Sequence, residues 1–227
     1  MKRSGPDQGS ALNRRVKPDF LAAGHVTRGR VPHGFVWGGV VTYGALTALR
    51  LGLQPAVVTS ASSDLDVNSA FVGIPAHVLP SDATTTFHNQ YRPKRRSQVL
   101  ESAADPIFFP DVPDEWRSAP TVLLCPVAGE IGTELVQGFS DSLVMGSLQG
   151  WLRTWDGHGR VSRRHWDGKD VLPHVDAATA SSSDVKDEDL IETRAGLSPL
   201  LIVRLGSNGS RLHVDGSWHH VDSFLTN

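Results

Sequence analysis

The chain has 227 residues, enough to bury the core of one α/β domain. Its 24 acidic and 22 basic residues nearly balance, so no polyelectrolyte partner, nucleic acid or anionic membrane, is implied. The single cysteine, Cys125, excludes an internal disulfide framework and suits a reducing cytoplasm.

Residues Gly5 to Asp19 are polar and offer no apolar core for a targeting segment. The longest apolar-looking stretch, Phe35 to Leu49, is short, glycine-rich and closed by Arg50, so it cannot span a bilayer as a helix. The chain reads as soluble and cytoplasmic. Residues 1–17 read as a disordered lead-in and residues 18–227 as one domain.

Strand-like apolar runs alternate with helical patterns, the signature of an α/β sheet. Phe20 to Gly24 is a short apolar strand. Val41, Ala45, Ala48 and Leu49 share one helical face, and Gly52 stops that helix. Ala56 to Thr59 is a buried strand. Ser63-Asp-Leu-Asp66 has the chemistry of a helix start, for a short helix through about Phe71. Thr84 to Tyr91 is a strand rich in β-branched residues. It turns through Arg92-Pro-Lys-Arg-Arg96 and pairs back through Glu101, making a hairpin over 84–101.

Beyond it come a strand at Thr121–Cys125, a helix at Gly132–Phe139 and a strand at Ser142–Ser147. Core strands follow at Val175–Ala180 and Leu200–Val203, with a helix near Lys186–Thr193. Ser210–Val214 and Ser217–Val221 form a hairpin across Asp215-Gly216. Cys125 lies in the apolar run Val122 to Pro126 and reads as a buried, inert thiol. The ten histidines show no zinc spacing. Basic Arg160, Arg163, Arg164 and Lys169 lie near Trp151, Trp155 and Trp166. Asp156, Asp167 and Asp170 interleave with them, which describes a solvated surface with tryptophan anchors.

The chemistry begins at Trp37-Gly38-Gly39, which opens the helix at Val41. Two glycines let a ligand approach the backbone, and a helix start offers free N–H groups. The alternative is a tight strand-to-helix turn. Neither the dinucleotide fingerprint nor a Walker A loop is present.

The ordered set Gly24-His-Val-Thr27, Gly38-Gly39, Thr42 to Gly52, Val57-Val-Thr-Ser60, Thr84 to Tyr91 and Leu123 to Ile131 resembles the ribokinase-like (PfkB-type) carbohydrate kinases. The likeness continues through Gln149-Gly-Trp-Leu-Arg153, Ser181-Ser-Ser-Asp184 and Val203 to Gly209, and so covers about residues 19–224. It implies a three-layer α/β/α fold with a largely parallel central sheet, lacking the last elements, helices that in the family cover that sheet. It also implies ATP-dependent phosphorylation, with Mg2+, of a hydroxyl on a sugar, polyol or nucleoside.

Carried over by position, Gly38, Gly39, Thr42, Asn89 and Glu130 would border the acceptor. Ser181, Asp184, Arg204, Gly206 and Gly209 would border the nucleotide. Glu130 and Asp184 would reach magnesium through water. For Glu130 the alternative is a carboxylate stabilised by a helix start, and for Ser181 and Asp184 the cap and first turn of the following helix.

The chain also departs from the pattern. Gly29 stands where an acceptor-gripping aspartate is common. Val40, Val41 and Thr42 replace an asparagine, Ser181 replaces another, and Arg204 replaces a threonine. No Gly-Ala-Gly-Asp occurs. The resemblance therefore implies a kinase scaffold whose catalytic base would lie beyond Asn227, and it assigns no catalytic residue within the chain. A non-catalytic relative that acts by binding is the alternative.

Overall fold

The computed structural model describes residues 17–92, 95–185 and 188–224. The expected lead-in, Lys17 apart, the Pro93-Lys94 tip of the hairpin and the Lys186 start of the helix expected near Lys186–Thr193 lie outside the described residues. So does Asn227, the residue beyond which the resemblance put the catalytic base. In chain order the elements are β1 (Phe20–Ala23), β2 (Thr27–Val31), β3 (Gly34–Gly38), α1 (Val40–Arg50), β4 (Pro55–Ala61) and β5 (Ala76–Pro80). Then come β6 (Thr86–Arg92), β7 (Arg95–Ser102), β8 (Thr121–Leu124), α2 (Thr133–Gln137) and β9 (Leu143–Ser147). The remainder are β10 (Arg153–Trp155), β11 (Val161–Arg163), β12 (Ala177–Ser181), α3 (Glu188–Ala195), β13 (Leu200–Arg204), β14 (Ser210–Val214) and β15 (Ser217–Val221).

The central sheet runs β15-β14-β13-β12-β9-β8-β1-β4-β5. Strands β13 through β5 are parallel, and β14 and β15 add an antiparallel hairpin at one edge. Its turn uses Asp215 (φ 51°) and Gly216 (φ 73°), the pair of positive φ values that a two-residue hairpin favours. From β1 the chain builds outward to β4 and β5, then returns to build the other way from β8. This reversal is a topological switch point, and open α/β sheets bind ligands in the crevice beside it.

One face of the sheet packs on α1. Val41, Ala45 and Ala48 recur at helical spacing and meet Phe20, Ala22, Val57 and Cys125. The other face buries Leu21, Val58, Leu124, Val144, Ala178 and Leu201 against α2 and α3. The layers are therefore α/β/α. On the α1 side, the strands beyond β8 carry half-buried Met145, Thr179, Ile202 and Leu212 with no described helix above them. No helix among the described residues is long and apolar enough to cross a membrane.

Four strands form a second sheet, in the order β3-β2-β6-β7. The expected hairpin is half of it. The other half, β2 with β3, lies where the sequence reading placed only the end of the first strand and a glycine turn. β2 pairs with β6 in parallel across 58 residues, Arg28 opposite Thr86. A short pair of strands, β10 and β11, lies where the sequence described a solvated surface with tryptophan anchors, and its turn bonds the open edge of β7 through Leu100 N–H to Gly159 O at 2.8 Å. The short helix expected at 63–71 is one 3₁₀ turn, Val67–Ala70, without a side-chain cap.

Candidate functional site

Residues after β1 and β8 meet at the switch point. The Glu130 carboxylate is buried there and bound by main-chain amides. His25 N donates to Oε1 at 2.9 Å, Val127 N reaches both oxygens at 3.0 Å, and Ala128 N donates to Oε2 at 2.7 Å. A carboxylate accepts well from backbone N–H, and three such bonds leave it little capacity for a ligand. The sequence offered a ligand contact or a carboxylate stabilised by a helix start. Its donors belong to residues 25, 127 and 128 and not to the start of α2, so the carboxylate instead curls its own loop and ties that loop to the end of β1. Burial pushes the neighbouring Cys125 thiol well above its ordinary value, and the Glu130 charge adds to this, so the thiol stays protonated and inert.

Gly38 ends β3 and Gly39 starts α1, as the motif required. Gly39 has φ +90°, and a Cβ there would lie 2.4 Å from the His25 carbonyl oxygen. A close approach within the chain therefore demands this glycine, whatever ligand comes near it. Thr42 is buried, and its hydroxyl donates to Gly38 O at 2.9 Å, which fixes the turn rather than facing the crevice.

Directly opposed residues share a face of the second sheet. Phe87 and Leu100 pack on Val127 and Ala128, so their face is turned to the body. Gly29 and Val36 lie in the same row and on the same face. Asn89 shares that face too, hydrogen-bonded to Gln98 at 2.7 Å. However, it sits four residues along the strands from the row of Thr27 and Gly38, about 13 Å at the rise of an extended chain. Contact with the same small acceptor as Gly38 and Gly39 does not follow from this register. Asn89→Ala is expected to lower stability by about 1 kcal/mol or less, read from the urea midpoint. Affinity for a small polyol should be unchanged, and a loss of affinity without loss of stability would return Asn89 to the acceptor.

The second group of candidates gathers at the C-terminal ends of β12 and β13. Ser181 pairs with Arg204, and Ser182 N donates to Arg204 O at 2.9 Å. Arg204 is exposed. Gly206 and Gly209 bracket a 3₁₀ turn directly after it, closed by Leu205 N to Gly209 O at 2.8 Å. Asp184 turns toward Arg153 of β10, with Arg153 Nη2 3.4 Å from Oδ1 and both side chains over nine-tenths buried. The sequence reading assigned no role to Arg153, although it closes one of the quoted motifs.

Among the described residues no three side chains gather as a metal cluster. Glu130 does not fit a magnesium contact, because its oxygens are taken. Asp184 Oδ2 is buried without a hydrogen-bond partner, a state that costs about 1–3 kcal/mol. That atom fits a cation brought in on donor phosphates, since magnesium needs only one or two protein carboxylates there.

A largely parallel sheet with a switch point, a second four-stranded sheet beside it and a Gly-Gly turn where the two meet make up the ribokinase-like fold. No protein-family model matches the chain, and no curated protein matches it. Solved structures do. The chain is similar to a pyrophosphate-dependent kinase in the ribokinase family complexed with a pyrophosphate analog and myo-inositol. The identity is 24% over 89% of this chain and 78% of that one, with a TM-score of 0.74. It is also similar to an uncharacterized sugar kinase from Pyrococcus horikoshii in complex with ATP, at 15% identity over 92% and 78%, with a TM-score of 0.67. Arabidopsis thaliana ribokinase, complexed with ribose and ATP, matches at 14% identity over 90% and 78%, with a TM-score of 0.62.

Proposed function

We propose that the chain is the binding scaffold of a phosphotransferase that moves a phosphoryl group from ATP, with Mg2+, to a hydroxyl of a sugar or polyol. One observation supports this reading: both groups of residues lie at the C-terminal edge of the parallel sheet, one beside the end of β1 and the other beyond β12 and β13. Gly38 and Gly39 lie where the second sheet, read here as a lid over the acceptor, meets the end of β1. Ser181, Asp184, Arg204, Gly206 and Gly209 lie at the ends of β12 and β13. Asp184 would meet a donor-bound magnesium, and the Arg204 guanidinium would pair with phosphate oxygens.

No Gly-Ala-Gly-Asp occurs between Met1 and Asn227. The reading therefore assigns these residues binding without turnover by themselves, since loss of a general base alone costs about 10²–10⁴-fold in rate. The same reading covers a relative that acts only by binding.

A second reading concerns the donor. Two of the similar structures, at 23% and 24% identity, are pyrophosphate-dependent kinases. The donor side here carries the exposed Arg204 guanidinium, which pairs with the phosphate oxygens of either donor, while Arg153 is held on Asp184.

Calorimetric titration of the 227-residue chain with MgATP and with magnesium pyrophosphate separates these. The expected result is binding of one of them, abolished by Arg204→Ala, with myo-inositol or ribose binding independently and no product formed. Binding of neither donor would defeat the proposal. Turnover would place a base among these residues.

A further inference from the structure

The lid joins the body through four crossings of the chain, at residues 24–26, 38–39, 84–85 and 103–105. All four meet on one side chain or its own peptide. His25 is fully buried. It lies on the first crossing, and its N–H donates to Glu130 of the body at 2.9 Å. Gly39, on the second, packs so closely on the His25 carbonyl that no Cβ would fit. On the third, Thr85 Oγ1 is 2.7 Å from His25 Nδ1. On the fourth, Asp105 O is 3.0 Å from Nε2, and Ala104 N donates to Thr85 Oγ1 at 2.9 Å.

For a neutral imidazole, with the Glu130 carboxylate 3.8 Å from Nδ1, the hydrogen bonds admit one consistent assignment. Asp105 O only accepts, so Nε2 carries the proton and donates to it. Nδ1 is then an acceptor, and the Thr85 hydroxyl donates to it while taking Ala104 N–H on a lone pair. Each group at the joint is satisfied in this arrangement, and a tilt of the lid would break at least two of these bonds at once. A buried, fully connected network of this kind holds one geometry.

We infer that His25 is the pivot that sets the angle of the lid over the body, and so the width of the crevice. It rests on the phosphotransfer reading only in naming the covered side the acceptor side. Glu130 anchors the pivot from below, which gives its buried carboxylate a purpose at a distance of 105 residues along the chain.

The test is peptide-resolved hydrogen exchange on the full chain, which needs neither ligand nor turnover and so stands or falls apart from the proposed activity. In His25→Ala, exchange in β2, β3, β6 and β7 should accelerate together by about tenfold or more, while β8, β12 and β13 stay within about twofold of the parent. His25→Gln, whose amide nitrogen stands in for Nε2, should recover most of the protection. Thr85→Val, which removes only the hydroxyl, should loosen the same four strands and carries the test if His25→Ala does not fold. Equal acceleration in both sheets, or none in the lid, would overturn the inference.

Discussion

Replacing Glu130 by alanine is expected to cost about 3–5 kcal/mol of stability, at the high end for a single substitution. Three buried N–H groups, those of His25, Val127 and Ala128, lose their acceptor together. Leaving a buried donor without a partner costs about 1–3 kcal/mol each, and part is recovered as the loop relaxes. Glu130→Gln keeps one carbonyl oxygen for these donors but turns an NH₂ toward one of them, so a loss of about 1–3 kcal/mol is expected. Urea midpoints at an unchanged slope measure both. The opposite pattern, with Glu130→Gln as stable as the parent but weaker toward a polyol or donor, would show a ligand-facing carboxylate. The two tasks that the sequence left open for Glu130 are thereby separated by one pair of variants.

Gly39→Ala should be about as damaging, and Gly52→Ala supplies its control. Both glycines have similar positive φ, +90° and +86°. A Cβ in the left-handed region costs about 1–2 kcal/mol through backbone strain alone, and Gly39, with ψ 139°, lies beyond that well where the strain is greater. At Gly52 nothing lies within 4 Å of the added carbon. At Gly39 it would sit 2.4 Å from the His25 carbonyl oxygen, which is main chain and can yield only if the first crossing moves. The expected loss is therefore about 1–2 kcal/mol for Gly52→Ala and about 3 kcal/mol or more for Gly39→Ala. Because His25 would be displaced, Gly39→Ala should also loosen the lid strands in hydrogen exchange, whereas Gly52→Ala should not. Equal losses at the two positions would mean that the contact with His25 is slack.

Local pattern was enough for much of the body. Phe20 to Gly24, Ala56 to Thr59, Thr121 to Cys125 and Leu200 to Val203 are short apolar runs read as strands, and strands form there, fully buried in β1 and β4 and alternating between buried and half-buried in β8 and β13. Val41, Ala45 and Ala48 declared the face of α1, although Leu49, grouped with them, is exposed, and Asp215-Gly216 declared its hairpin. The order of these pieces carried the resemblance to ribokinase-like kinases, and with it Gly38 and Gly39 at a strand-to-helix junction and Asp184 beyond a strand end.

The lid and the joint beneath it were not legible in this way. Thr27 to Val31 and Gly34 to Gly38 are short, half polar and broken by glycine, so neither has a periodicity of its own. They become strands because β6, far along the chain, supplies the pairing partner. His25 looked like one more residue after a glycine, and Glu130 like an acceptor-side carboxylate or one at a helix start. Their roles depend on an N–H and a carboxylate 105 residues apart being buried face to face. Arg153 and Asp184 likewise meet only after β10 folds back over the end of β12. Side-chain periodicity records which residues seek the core, whereas the partner that satisfies a buried polar group is chosen by the packing of the whole chain.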